Sequence, residues 1–335
     1  MQFRKLWTFA LGLSTIVAII STPTATYPLE THLKKVTVAY TSYAPFLMPF
    51  LLEKELGFFR EEGLRPEFIL VRGGGVAVKG LVAGNFDYIM PGGVVIDPIL
   101  RARQPLKIIL TTSMVHFWLT AQPGVFSIAD LRGKSIGSGA IGSDTDHVAR
   151  EILKRNGLDP FKDVTFLMVG SSRERFAALS SGAVHAALLS PPFNFKAIEM
   201  GYRKLASAKD YTSWPQGGLG VRDERIFRDP QEVSKMVRAS LKGLKLVLTQ
   251  EEYVLLKMTE MFRLKREEAE QTYVAMQEGF VASGYLPEEA QRNVISTIKQ
   301  AANIAEEVPP ERVFDYRFVK QAEQELKNWK PQILR

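Results

Sequence analysis

Glycines recur in this chain where short β-rich runs give way to helical stretches. Gly137-Ser138-Gly139-Ala140-Ile141-Gly142 has G-x-G-x-x-G spacing, and Gly73-Gly74-Gly75 and Gly92-Gly93 repeat the arrangement earlier. A turn stripped of side chains lets backbone N–H groups at a helix start point at an anion or polar atom. Ser143, Asp144 and Thr145 follow Gly142 as cap and first-turn residues, although such residues also cap helices that bind nothing. A dinucleotide site shares this spacing but needs an acidic residue after the next strand to hold a ribose. Val164–Val169 runs instead into Gly170-Ser171-Ser172-Arg173. The expected ligand is therefore smaller than a dinucleotide, and no cofactor is expected.

Catalytic chemistry has few candidates. A cysteine count of zero excludes thiol nucleophiles, redox dithiols, iron–sulfur clusters and cysteine-ligated zinc. His32, His116, His147 and His185 are scattered, with neither His-Glu-x-x-His nor Gly-x-Ser-x-Gly present, and no metal site is expected. His147 follows Asp144 by three residues and is expected on the surface. Phe46, Phe117 and Phe195 are expected in the core. Tyr43 and Trp214 lie in loops with polar neighbours and are expected to line a pocket.

These turns need a scaffold. With 335 residues the chain is about twice a typical domain, and 46% hydrophobic residues can fill two cores. The net charge of +7 is spread among acids, as in Arg60-Glu61-Glu62, so no basic stripe for nucleic acid forms. Arg4 and Lys5 precede an apolar run from Leu6 to Ile20, which as a helix spans about 22 Å. That is shorter than a hydrocarbon core of roughly 30 Å. Residues 1–26 are expected to be a secretory signal, with an uncleaved anchor as the alternative.

After residue 30, strand-like and helix-like runs alternate, which argues for α/β architecture. Lys35–Tyr40, Glu67–Val71 and Asp87–Met90 read as strands, and so do Lys134–Ser138 and Val164–Val169. The grammar of Leu81–Pro91 returns in Leu179–Pro191: a helix ends at glycine, turns, and feeds a strand that reaches a proline-bearing loop. One kind of lobe is built twice. Residues 31–118 with 219–335 are expected to form one lobe and 119–218 the other, joined by a two-segment hinge. After Asp229 helical patterns dominate, over Pro230–Leu248, Lys265–Ser283, Pro287–Glu306 and Asp315–Asn328.

The run Leu51–Leu64, with the next strand and Gly73-Gly74-Gly75, resembles the opening of periplasmic substrate-binding proteins of the nitrate, sulfonate, taurine and thiamine-pyrimidine type. Leu81–Asp87, Ile128–Lys134 and Ala178–Gly182 are similar to that family's recurrent signatures, with His185 where it often has Asp. The resemblance covers about residues 35–220. It implies a type II periplasmic-binding fold, a periplasmic or other extracytoplasmic location, and delivery of a small molecule to an ABC permease with its ATPase. Membrane contact would come only through that permease or an uncleaved anchor, and the protein would be a monomer. The loop positions it carries over are Ser42, Tyr43, Gly74, Gly75, Gly92, Gly93, Ser143, Asp144 and Pro191. Related pyrimidine synthases share the fold and make an enzyme the alternative, but they carry a cysteine-rich signature absent here. A sensory domain of a transcription regulator would need a helix-turn-helix where this chain has its apolar N-terminal segment.

Overall fold

A computed structural model describes residues 33–331. The expected signal segment and His32 lie outside the described residues.

The first stretch runs β1 (Lys34–Tyr40), α1 (Met48–Leu56), α2 (Phe58–Glu61), β2 (Leu64–Leu70), α3 (Gly74–Val82), β3 (Tyr88–Met90), α4 (Ile96–Arg101) and β4 (Leu106–Met114). Local chemistry sets several of these boundaries. Gly57, in the left-handed region at φ 81°, ends α1, and Gly73 at φ 96° makes the bend before α3 that a side chain would resist.

The middle stretch runs β5 (Trp118–Ala121), β6 (Ser135–Ser138), α5 (Asp144–Arg155), β7 (Thr165–Met168), α6 (Ser172–Ser180), β8 (Ala186–Leu189), α7 (Phe193–Glu199) and β9 (Arg203–Ser207). The side chain of Ser143 accepts from the N–H of Asp146 to start α5. Ser171 and Glu174 form a reciprocal capping box on α6. The chain then returns through β10 (Pro215–Arg222) into α8 (Asp223–Arg228), α9 (Pro230–Thr249), α10 (Glu251–Phe262), α11 (Arg266–Gln277), α12 (Glu288–Ala302) and α13 (Arg317–Glu325).

These elements form two α/β lobes, each on a five-stranded sheet, ordered β2-β1-β3-β10-β4 and β7-β6-β8-β5-β9. In the first sheet β1 runs parallel to β2 and β3, and β10 enters antiparallel between β3 and β4. In the second, β6 runs parallel to β7 and β8, while β5 lies antiparallel to β8 and β9. Each lobe thus takes one strand delivered from the other, and the chain passes between them twice. The sheets shift the lobe edges expected from sequence. Trp118, expected in the first lobe, pairs with Leu189 and Ser207 of the second sheet. Pro215 to Gly218, expected in the second, pair with β4.

The helical tail packs on the first lobe. Tyr88 Oη donates to Glu232 on α9 at 2.9 Å, and Arg225 clamps Glu232 and Asp87, tying the tail to β3. Gly243 of α9 presses on α1 so closely that a Cβ there would lie 2.0 Å from Pro49 O.

Candidate ligand-binding site

In an open parallel sheet, ligands gather beyond the carboxyl ends of the strands. Here the turn after β2 faces the turn after β6. The Gly73 and Gly139–Gly142 turns approach so nearly that a Cβ on Gly73 would meet Ala140 Cβ at 3.6 Å. The lobes are closed on each other. Lys196 on α7 pairs with Glu268 on α11 at 2.9 Å, and Lys209 pairs with Glu278 at 2.6 Å. Each lysine holds its partner carboxyl below the usual range.

Between the lobes lies a cavity of about 690 Å³, within the size range of small-molecule sites. Its back wall is the first crossing, Met114–His116, and α11 covers it from the first lobe. The second lobe supplies its chemistry. Trp118 and Phe195 meet edge to face, 5.2 Å between centroids at 87°, and Lys204 Nζ stands 4.1 Å from the Trp118 ring centre. Asn194 is 1% exposed; its Oδ1 accepts from the N–H of Phe195, while Nδ2 has no partner. Burial lowers the pKa of His116, so its ring is neutral near pH 7. Its Nδ1 lies 3.3 Å from Met114 O, an atom that only accepts, so the proton sits on Nδ1 and Nε2 is left as an acceptor. An aromatic corner, an acceptor and an exposed cation together suit a planar solute with polar edges.

A second cavity, about 500 Å³, lies further along the interlobe seam between α3, α4 and the Ile141–Gly142 turn. The glycines expected to bind ligand divide between several places. Gly74, Gly75 and Gly142 line this second cavity, and Pro191 lines the larger one. Gly92 and Gly93 line neither: they are buried, and a Cβ on Gly93 would lie 2.1 Å from Pro215 O. Close packing of β10 accounts for their lack of side chains. Ser143 acts as the helix cap, 8% exposed. Asp144 accepts from the N–H of Thr145, and burial raises its pKa against the pull of Arg175. That arginine is itself buried beneath the second sheet, donating to the carbonyls of Leu188 and Gly170. Burial draws its pKa down to about 10.

Ser42 and Tyr43 sit in the loop after β1, outside both cavities. Tyr43 is 47% exposed, its ring 5.0 Å from Phe262 of α10. Trp214 corrects the expectation of a pocket wall. It is 1% exposed, sealed between Gly93 and a stacked His147 ring 4.8 Å away. His147 is correspondingly buried rather than on the surface, with 13% of its side chain exposed. Phe46 and Phe117 are core residues, as expected, while Phe195 turns toward the cavity. Of the residues that sequence reasoning passed over, Trp118, Asn194, Lys204 and His116, one had a signal available, Asn194. Pro191-Pro192-Phe193-Asn194-Phe195 follows β8, and a loop at the carboxyl end of a strand is where a site forms.

The fold is the two-lobed fold of the periplasmic binding proteins. By the sequence match over residues 44–252, the chain belongs to the NMT1/THI5-like family. The riboflavin-binding protein RibY of Chloroflexus aurantiacus is 26% identical over 271 residues, 72% of this chain and 74% of that protein. A solved structure from Bordetella bronchiseptica RB50 superposes with a TM-score of 0.78 at 20% identity, covering 89% of this chain and 99% of its own. The periplasmic nitrate-binding protein NrtA of Synechocystis PCC 6803 superposes at 0.72 with 14% identity, covering 88% and 89%. At these identities the superpositions establish the fold.

Proposed function

We propose that this protein is an extracytoplasmic solute-binding protein that captures a planar, ring-bearing small molecule between its lobes and delivers it to an ABC importer. The cavity carries this reading: both lobes and the hinge wall it, and the Trp118–Phe195 corner with Lys204 lines it. Ligand contacts from both lobes exist together only in the closed form, so binding would shift the population toward closure. The permease and its ATPase would then read the closed shape, with no bond made or broken. On this reading the protein acts as a monomer exported by its N-terminal segment, and the lobe edges fall at the two crossings. Among the described residues, no helix is long and apolar enough to cross a membrane.

Riboflavin is the first probe because RibY is described as binding it and because a flavin ring suits the Trp118–Phe195 corner. Titrating the purified protein into riboflavin and following flavin fluorescence should show saturable quenching, about tenfold weaker in Trp118→Ala from lost stacking. Equal affinity in that variant would remove the cavity from the binding site. If riboflavin does not bind, native mass spectrometry should still find a ring-bearing solute travelling with the protein; a solute without a ring would contradict the ligand class.

A further inference from the structure

The interlobe seam contains one contact of a different kind from its lysine–glutamate pairs. His147, on α5 of the second lobe, lies flat against Trp214 of the hinge, rings 4.8 Å apart at 25°. Its Nε2 faces α4 of the first lobe, 3.8 Å from Asp97 Oδ1, beyond hydrogen-bond range. That nitrogen is buried without a partner.

The charges around the ring do not await an imidazolium. Asp97 is already held by Arg101 at 2.6 Å, and Asp146 by Arg150 at 2.9 Å. Each carboxylate near His147 thus has its own guanidinium, which weakens its pull on the ring without cancelling it. Protonation would place an extra charge in a dry seam, and that burial cost outweighs the pull of Asp97 and Asp146.

We propose that His147 is a latch that holds the lobes together as the neutral imidazole and releases them when it is protonated. Solute retention would then weaken in acid. The proposal rests on the capture reading only in requiring that the lobes open and close. The direction follows from which state binds the proton better. In the closed form burial lowers the His147 pKa; Asp97 and Asp146 oppose the shift, and Arg101 and Arg150 reinforce it. Once the lobes part, solvent reaches the ring and its pKa returns toward about 6.5. The open form therefore takes up more protons, and acidification favours it by at most about tenfold per pH unit for one proton.

The test needs no ligand. Small-angle scattering of the full chain from pH 8 to pH 5 should show the wild type expanding on acidification while His147→Gln stays compact. A wild-type radius independent of pH, or the same expansion in the variant, overturns the latch. Should the variant fail to fold, the wild-type His147 ring proton resonance can be followed through the same range. Its titration should coincide with the expansion, and a titration separated from it overturns the proposal. Failure of every solute to bind would sink the capture reading while leaving this scattering result interpretable on its own.

Discussion

At the scale of single residues, Glu53 is the group least at ease. It is 0% exposed, neither carboxyl oxygen has a hydrogen-bond partner, and a Cβ on Gly243 would touch it at 2.5 Å. Burial raises its pKa well above 4.5, with Lys242 pulling weakly the other way. An acid whose folded pKa is raised leaves its stability contribution intact below the unfolded value and loses it as pH climbs through the folded one. Each unit of elevation costs about 1.4 kcal/mol at higher pH. Glu53→Gln cannot ionise, so urea unfolding at pH 5 and pH 8 should show its advantage over wild type growing with pH. An equal difference at both values would mean that Glu53 is not carried as a buried acid. The sequence gives no warning of this, since Glu53 sits among Glu and Lys neighbours that are exposed or partly so. Only the close approach of α9 takes it from water. Trp214 illustrates the converse: its polar loop suggested a pocket wall, and the stacked ring of His147, distant along the chain, encloses it.

Among the elements, the α1–α9 contact depends on the missing side chain at position 243. A methyl group there would meet Pro49 O at 2.0 Å and Glu53 Cγ at 2.5 Å. Backbone on one side leaves little room to relax, so Gly243→Ala should lower stability by roughly 1–3 kcal/mol. A denaturation midpoint unchanged from wild type would show that α9 sits further from α1. Elements with clear local signals were legible: the strand–glycine–helix units around Gly73 and Gly137 formed near the expected positions. β4 was not recognised, because Leu106–Met114 is buried on both faces and lacks the alternation that marks a half-exposed strand. The helix expected over Lys265–Ser283 ends at Gln277, since Met114 N–H donates to Gly279 O and Val281 N–H to Thr112 O, docking that segment beside β4. Tertiary pairing, invisible in a local window, overrides helical spacing.

For the whole molecule, the twice-crossed chain was readable because the helix–glycine–strand unit recurs, and two sheets exchanging β5 and β10 are what that repetition builds. The site was less readable. Sequence pointed to glycine turns, whereas the larger cavity draws its side chains from β5, α7 and β9 of the second lobe and from α11 of the first, segments far apart along the chain. The most direct test of solute capture is a crystal structure of the natively purified protein with the molecule it carries. The account predicts that molecule in the interlobe cavity, its ring against Trp118, with contacts from Phe195 and from α11. A molecule held by one lobe alone, away from Trp118 and Phe195, would contradict it.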